Sequence, residues 1–129
     1  MKKKIIRTDK APLPIGPYNQ AVVANNFVYT SGQIALDAKT GNAVSVGVPG
    51  QTRNVLTQLK IILEEAGSSL DNVLKTTVFL KDMNDFAAMN KVYAEFFDPK
   101  TAPARSTIQV ARLPKDVSIE IEAVASIEK

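Results

Sequence analysis

Hydrophobic positions in the middle of the chain repeat with the spacing of a helix. Between residues 52 and 66, six apolar side chains fall on one stripe: Val55, Leu56, Leu59, Ile62, Leu63 and Ala66. Gly67 follows at the position where a left-handed C-terminal cap is typical. The pattern predicts an amphipathic helix over residues 52–66.

A second helical pattern follows Asp82, which can cap a helix that runs to about Phe97. The inner face of this helix would be mostly aromatic: Phe86, Met89, Tyr93, Phe96 and Phe97. We also expect Met83 in the core, together with the other phenylalanines. Asn90 lies off the apolar stripe and is expected to face away from the core.

Patterns typical of strands flank the two helices and separate them. Five segments have this character: 2–8, 20–24, 27–31, 73–80 and 106–110. In a last strand, the odd-numbered apolar residues from Val117 to Ala125 share one face, and Glu120 and Glu122 occupy the other. The pair Asn25-Asn26 suits a tight hairpin turn, because Asn tolerates a positive φ.

The order of the elements is strands, helix, strand, helix, strands. This order indicates one α+β domain over residues 1–129, with both helices packed on one face of a mixed, mostly antiparallel sheet. The second face of that sheet would lack a cover. An uncovered face needs a partner or a polar surface, so we expect an oligomer whose sheets pack together.

The segment between the first two predicted strands cannot be regular secondary structure. Its sequence over residues 11–18, Ala-Pro-Leu-Pro-Ile-Gly-Pro-Tyr, contains three prolines, which lack a backbone donor and fix φ. Gly16 permits an unusual turn within it. We interpret this segment as a shaped loop that presents Tyr18, whose ring could stack on a ligand or pack against a neighbouring surface.

Composition narrows the chemistry, because the chain contains no Cys, no His and no Trp. Thiol nucleophiles, disulfides and thiolate metal sites are therefore excluded, and so is the most common general base. Chemistry must rest on carboxylates, Tyr, Lys, Arg, hydroxyls and backbone groups. No phosphate-binding glycine loop or metal-ligand cluster appears, and we expect neither a metal nor a cofactor.

The net charge of +3 comes largely from basic residues within the first ten positions. Such a segment can attract nucleic acid, but it is more often a solvated strand edge, and basic and aromatic residues are not interleaved. We therefore do not expect nucleic acid as a partner. No apolar run approaches the ~20 residues that cross a bilayer, and the basic start lacks the apolar stretch of a secretory signal. We expect no membrane partner and a cytoplasmic location.

Two charged residues on predicted strands could carry chemistry. Arg105 follows Pro103-Ala104, and its planar fork could bind a carboxylate or form a surface salt bridge. Glu120 could act as a general base toward water, although same-face strand glutamates are more often solvated. Ser31-Gly32-Gln33 ends a strand with a hydroxyl and a backbone that a ligand could approach closely. These residues alone leave the function open.

Several short motifs follow one another along the chain: Ile15-Gly-Pro-Tyr-Asn-Gln-Ala21, Ser31-Gly-Gln33, Ala66-Gly67, Val73-Leu-Lys-Thr-Thr-Val-Phe-Leu80, Asp82-Met-Asn-Asp-Phe86 with Asn90, Pro103-Ala-Arg-Ser106, Leu113-Pro114 and Ile119-Glu-Ile-Glu-Ala123. Each is common by itself. The ordered set, from about residue 11 to residue 125, resembles the Rid family, also called the YjgF or reactive intermediate deaminase family, and within it the RidA-like branch.

The resemblance implies a chorismate-mutase-like α+β fold assembled as a homotrimer, with ligand sites in the clefts between subunits. It implies hydrolytic deamination of 2-imino acids, such as 2-iminobutanoate and 2-iminopropanoate, to 2-keto acids and ammonia. Arg105 would then hold the substrate carboxylate, and Glu120 would position or activate the attacking water. The remaining residues implied at the cleft are Tyr18 from the adjoining subunit, Ser31, Gly32, Asn90 and the backbone around Thr107.

Two positions depart from the family pattern. Thr107 stands where many relatives carry Cys, so thiol-based regulation there is impossible, while backbone contacts to the imine end would survive. Asn19 stands where Ser is frequent. Two other functions remain open at this point: a non-enzymatic regulatory trimer that binds small acids in the same cleft, and a ribonuclease or translation inhibitor.

Overall fold

The computed structural model describes residues 2–127 and contains one six-stranded sheet and two α-helices. The strands are β1 (Lys4–Ile6), β2 (Ala21–Ala24), β3 (Phe27–Thr30), β4 (Val73–Leu80), β5 (Ala104–Gln109) and β6 (Ile119–Ser126). The helices are α1 (Val48–Glu65) and α2 (Phe86–Phe96). Single 3-10 turns lie at Leu70–Asn72, Met83–Asp85 and Pro114–Asp116.

The strand order in the sheet is β1-β2-β3-β6-β4-β5. Every neighbouring pair is antiparallel except β4 and β5, which are parallel. Parallel neighbours need a crossover connection, and α2 provides it. Both helices pack on one face of the sheet and contact each other. The predicted α+β fold, with a mixed, mostly antiparallel sheet, is confirmed. Within residues 2–127, neither helix is long and apolar enough to cross a bilayer.

The first helix begins at Val48, four residues before the expected start at residue 52. Pro49 lies in its first turn. Backbone N–H groups in that turn have no acceptor within the helix, so proline loses no hydrogen bond there, and its fixed φ suits the helix. The predicted apolar stripe is fully buried against the sheet from Val55 to Leu63. Gly67 follows the helix with φ of 86°, which confirms the left-handed cap.

The second helix begins later than expected. Asp82 accepts a hydrogen bond of 2.9 Å from the Asn84 amide and so caps the 3-10 turn that precedes α2. Met89 and Tyr93 are buried in the core as predicted.

The prediction that Met83 and all the phenylalanines are core residues is wrong for Met83, Phe86 and Phe27. Phe27 lies on β3, on the sheet face opposite the helices. Met83 is 38% exposed and Phe86 is 37% exposed. Both lie over β5, the edge strand where the sheet ends, and the Met83 amide donates to the Gln109 side chain of that strand at 2.7 Å. The edge of the sheet leaves these two side chains without a full covering layer.

The turn between β2 and β3 has the predicted form. Asn25 and Asn26 have φ of 50° and 64°, the left-handed conformations that a two-residue hairpin turn requires. The next turn closes with a 2.8 Å hydrogen bond from the Gly41 amide to the Asp37 carbonyl. The sequence therefore sets both turns locally.

The sheet face opposite the helices is uncovered in residues 2–127. It presents large apolar side chains to the surface, including Phe27 at 37%, Tyr29 at 46% and Ile108 at 46% exposure. Glu120 and Glu122 also point to this face, because the alternating residues of β6 are buried under the helices. We call this surface the open face.

Candidate active site

The predicted site residues fall into two groups on opposite faces of the sheet. Arg105 pairs in register with Thr76 on β4, and Thr76 pairs with Ala123 on β6. Because Thr76 and Ala123 are buried under the helices, Arg105 lies on the helix-covered face of the sheet. Glu120 precedes the buried Ile121 and therefore projects from the open face. Their strands, β5 and β6, are also separated by β4, which adds about 10 Å. Within one protomer, Arg105 and Glu120 cannot meet at one small ligand.

The arginine half comprises Arg105, Asn90 and Thr107. The Arg105 guanidinium donates a hydrogen bond of 2.7 Å from Nη1 to Oδ1 of Asn90. Its Cζ atom lies 4.6 Å from the ring centroid of Tyr93 and 5.5 Å from that of Phe86. The two ion pairs in residues 2–127 do not involve Arg105, so the alternative of a surface salt bridge is not observed in this part of the chain.

Thr107 lies two residues along β5 from Arg105 and shares its face of the sheet. Its hydroxyl oxygen is buried and has no hydrogen-bond partner in the part of the chain that the structure describes. A cleft of about 370 Å³ opens beside Arg105 and Asn90. Its other walls are Tyr93, Phe97 and the proline-containing loop before β5.

The glutamate half comprises Tyr18, Ser31, Gly32 and Glu120. These residues line a cleft of about 480 Å³ between the proline-rich loop and the start of β6. The rest of the lining consists of an apolar group, Pro12, Leu13, Ile15, Ile34, Leu36 and Pro114, and a polar group, Gln20, Gln33, Gln58 and Lys115. Tyr18 is half exposed, and its hydroxyl accepts a hydrogen bond of 3.3 Å from the Ile15 amide. The loop does present Tyr18 to a cleft, as the sequence predicts.

The glycine at position 32 makes room for the Glu120 carboxyl group. A Cβ atom at Gly32 would lie 2.7 Å from Cδ and 2.9 Å from Cγ of Glu120, well inside van der Waals contact. A two-way backbone bridge between Gln33 and Ile121, with hydrogen bonds of 2.8 and 3.1 Å, fixes this alignment. A side chain at position 32 would displace the Glu120 carboxylate from the cleft wall.

Two effects raise the pKa of the Glu120 carboxyl above its ordinary value. The larger effect is partial burial, which removes the carboxyl group from water, and the smaller is repulsion by Glu122 on the same face. No cation in residues 2–127 forms an ion pair with Glu120. A carboxylate in this state is a stronger proton acceptor than an exposed one. No cluster of three acidic side chains suited to a metal ion occurs in that same range.

Ser31 ties the proline-rich loop to β3. Its hydroxyl donates to the Asn19 carbonyl at 2.5 Å, and its amide donates to the Gln20 carbonyl at 2.9 Å. The first contact uses only the backbone of residue 19. The presence of Asn at position 19, where the family pattern often has Ser, therefore leaves the Ser31 contact intact.

Gln20 shapes the cleft, and the sequence reasoning missed it. Its buried side chain accepts from the Thr8 amide at 2.7 Å and donates to the Thr8 and Pro12 carbonyls at 3.0 and 2.8 Å. These backbone groups belong to the segment between β1 and β2, which contains the proline-rich loop and Tyr18. The sequence feature that could have indicated Gln20 is its position as a polar residue soon after the proline-rich loop. The backbone groups of such a loop need hydrogen-bond partners once they are buried.

Comparison with known proteins gives a consistent result. The family model described as Endoribonuclease L-PSP matches residues 8–127. A RutC family protein of Synechocystis sp. is 59% identical over 126 residues, 97% of each chain. A protein of Salmonella typhimurium named 2-iminobutanoate/2-iminopropanoate deaminase is 53% identical over 124 residues, 95% of this chain and 96% of the relative. The crystal structure of E. coli TdcF with bound serine has a TM-score of 0.90 at 49% identity and covers 97% of this chain and 99% of that one.

Replacement of Gln20 by Leu should release the proline-rich loop. The change keeps the volume but leaves buried backbone groups of Thr8 and Pro12 without partners, which costs about 2–4 kcal/mol of the free energy of unfolding. Hydrogen exchange of the Thr8 amide should accelerate in the variant. Denaturant unfolding and amide exchange measure the two effects.

Gln51→Leu is the matched control for this loop. Gln51 is also buried, but its side chain joins the Val46 carbonyl and the Ser118 amide, each at 2.9 Å. It should lower stability by a similar amount and leave the Thr8 amide protected. Equal Thr8 protection in both variants would show that Gln20 does not hold the loop.

Replacement of Glu122 by Gln should lower the pKa of Glu120. The like charge on Glu122 disfavours ionisation of Glu120, and its removal makes the proton easier to lose. Burial keeps the pKa above the ordinary value. A carbon-detected NMR titration of the Glu120 carboxyl reports the shift, and Glu95→Gln, on α2 and paired with Arg53, serves as the control. An unchanged Glu120 titration in the Glu122 variant contradicts the electrostatic explanation.

Proposed function

The chain belongs to the Endoribonuclease L-PSP family, which includes Rid proteins, and from this membership we propose that it hydrolyses reactive 2-imino acids. The substrates are small imines such as 2-iminobutanoate and 2-iminopropanoate, and the products are a 2-keto acid and ammonia. The relative from Salmonella that carries the deaminase name supports this proposal, because its similarity extends over nearly all of both chains.

The observation that carries the proposal is the state of Arg105. Aromatic rings and the neutral Asn90 amide surround its guanidinium, and it has no carboxylate partner in residues 2–127. A substrate carboxylate can therefore take the remaining N–H donors as a two-pronged, charge-assisted pair. This contact fixes C2 of a 2-imino acid, one bond away from the carboxylate, relative to the attacking water.

Glu120 supplies proton transfer in the proposed reaction. The protonated imine is already electrophilic, so water adds to C2 without a metal or cofactor as the Glu120 carboxylate takes one proton from that water. That proton then passes to the nitrogen of the tetrahedral intermediate. The C–N bond breaks as the Glu120 carboxylate takes the remaining hydroxyl proton, which leaves the 2-keto acid and ammonia. Glu120 passes this proton to the departing ammonia, which leaves as ammonium, and the carboxylate is restored. Because only ionised Glu120 acts, activity falls as pH drops through its raised pKa.

The proposed reaction requires two protomers. Arg105 and Glu120 lie on opposite faces of one sheet, so the arginine half of one copy must meet the glutamate half of a neighbour, with Tyr18 reaching the ligand from that neighbour. The apolar open face, with Tyr29 and Ile108 exposed, supplies a surface on which copies can pack. We propose a homotrimer, which places three such clefts between subunits. Asn90 and the backbone near Thr107 line the cleft from the arginine side.

The direct test couples a threonine dehydratase to the protein and times the appearance of 2-ketobutanoate. The wild-type protein should accelerate this step over buffer. Arg105→Ala should lose nearly all activity, because a lost contact to a charged group in a desolvated cleft costs about 2–5 kcal/mol. Arg53→Ala removes an arginine that already pairs with Glu95 and should keep activity.

The outcomes of this assay separate the rival functions. No acceleration by a folded wild-type oligomer refutes the deaminase proposal. Tight binding of 2-ketobutanoate by calorimetry without turnover would instead support a regulatory trimer. An active Arg105→Ala variant would show that another group binds the carboxylate.

A second test asks whether each site takes residues from two copies. Hybrid trimers of Arg105→Ala and Glu120→Gln chains, purified with two different affinity tags, should regain about one third of the wild-type rate. Around a closed ring of three, one cleft in each hybrid combines an intact Arg105 with an intact Glu120. Neither variant alone should regain activity.

In the control, the Glu120→Gln chain is replaced by a double variant that carries Arg105→Ala and Glu120→Gln together. Hybrids of this chain with Arg105→Ala contain no intact Arg105 and should stay inactive. If the first hybrids are equally inactive while wild-type trimers turn over, the two-protomer site is wrong.

A further inference from the structure

One face of α2 surrounds the Arg105 guanidinium with three side chains. Phe86, Asn90 and Tyr93 are spaced four and three residues apart, so they lie on one side of the helix. Asn90 accepts a hydrogen bond from Nη1, while the rings of Tyr93 and Phe86 lie 4.6 and 5.5 Å from Cζ. Both distances are within the range at which an aromatic ring attracts a cation.

The Tyr93 ring is fixed to the strand beside Arg105. Its hydroxyl shares a hydrogen bond of 2.7 Å with the hydroxyl of Thr76, the residue that pairs with Arg105 across β4 and β5. Tyr93 is 5% exposed and Thr76 is 1% exposed. Tyr93 also packs on Phe97, with ring centroids 4.7 Å apart. The ring is therefore held on both sides and cannot follow the arginine if it moves.

On the basis of the proposed function, we propose that Tyr93 and Phe86 are positioning residues that hold Arg105 for a carboxylate ligand. Tyr93 fixes the inner side of the guanidinium, and the partly exposed Phe86 limits its swing toward solvent. Neither residue needs to touch the substrate; both act through Arg105. The Arg105 guanidinium gives the Phe86 ring a contact at the sheet edge, where the ring is only partly covered.

An aromatic ring packed against a guanidinium leaves more of its N–H donors free for a ligand than a carboxylate partner would. A ring attracts the guanidinium through its face and accepts no in-plane hydrogen bond, so most N–H donors remain available. An Asp or Glu in the same place would use those donors and cancel the charge that the ligand needs. Burial raises the pKa of the Tyr93 phenol, which keeps the ring neutral, while Thr76 and Arg105 oppose this with smaller effects.

The primary test compares Tyr93→Leu, Tyr93→Phe and Phe86→Leu in the imine hydrolysis assay and in calorimetry with 2-ketobutanoate. Tyr93→Leu should raise KM and the Kd of the keto acid by roughly tenfold, and Phe86→Leu by roughly threefold, with much smaller changes in kcat. Tyr93→Phe retains the ring and should restore KM to nearly the wild-type value. Phe96→Leu is the control, because Phe96 is on the same helix but is not one of the two rings that lie against Arg105 in residues 2–127.

A pair of isosteric variants tests the argument about free donors. Phe86→Glu places a carboxylate near Arg105, whereas Phe86→Gln places a neutral group of the same shape there. The Glu variant should raise KM more than the Gln variant at neutral pH, and the difference should shrink as pH falls and the new carboxyl is protonated. This comparison stays valid if Tyr93→Leu fails to fold, because Phe86 is partly exposed.

The outcomes keep this proposal separate from the proposed function. An inactive wild-type protein refutes the deaminase, and unchanged keto-acid binding in both Leu variants refutes the positioning role. If the wild-type protein hydrolyses the imine, and KM is unchanged in folded Tyr93→Leu and in Phe86→Glu, the positioning role alone is overturned. A loss confined to kcat, with KM unchanged, would also contradict it.

Discussion

The alternation of side chains across the sheet is the constraint on which the site depends. The odd-numbered residues of β6 must be apolar, because the helices bury that face, and this places Glu120 and Glu122 on the open face. The register of β5 with Thr76 places Arg105 under α2. Arg105 and Glu120 are also two strands apart, and they form no ion pair with each other within residues 2–127. The sheet that forms the core also keeps the two charges apart.

The two halves of the candidate site are rigid for different reasons. The glutamate half depends on hydrogen bonds: Gln20 fixes the proline-rich loop, and the bridge at Gln33 holds Gly32 against Glu120. The arginine half depends on packing against aromatic rings of α2, with a single hydrogen bond to Asn90. Each half is formed within one chain, so the proposed subunit association need only bring two preformed surfaces together.

Features set by local periodicity were predictable from the sequence. The α1 stripe, the Asn25-Asn26 turn and the two faces of β6 each follow from spacing of a few residues, and all three agree with the structure. Features that depend on distant strands were not. The exposure of Phe86 follows from the position of β5 at the sheet edge, and the separation of Arg105 from Glu120 follows from the β4–β5 register. The resemblance named the candidate residues and implied a cleft to which the adjoining subunit contributes Tyr18, but it did not say that Glu120 lies on the Tyr18 side of that cleft.

The absence of a carboxylate beside Arg105 in residues 2–127 has a consequence for how the proposed reaction ends. Substrate and 2-keto acid share the same carboxylate, so a clamp on that group holds both about equally and cannot drive release. The contact orients C2 in the substrate, but it gives no preference for substrate over product. Abundant keto acids would therefore compete for the same clefts, and product inhibition would tie the rate of imine clearance to how quickly the next enzyme consumes the keto acid.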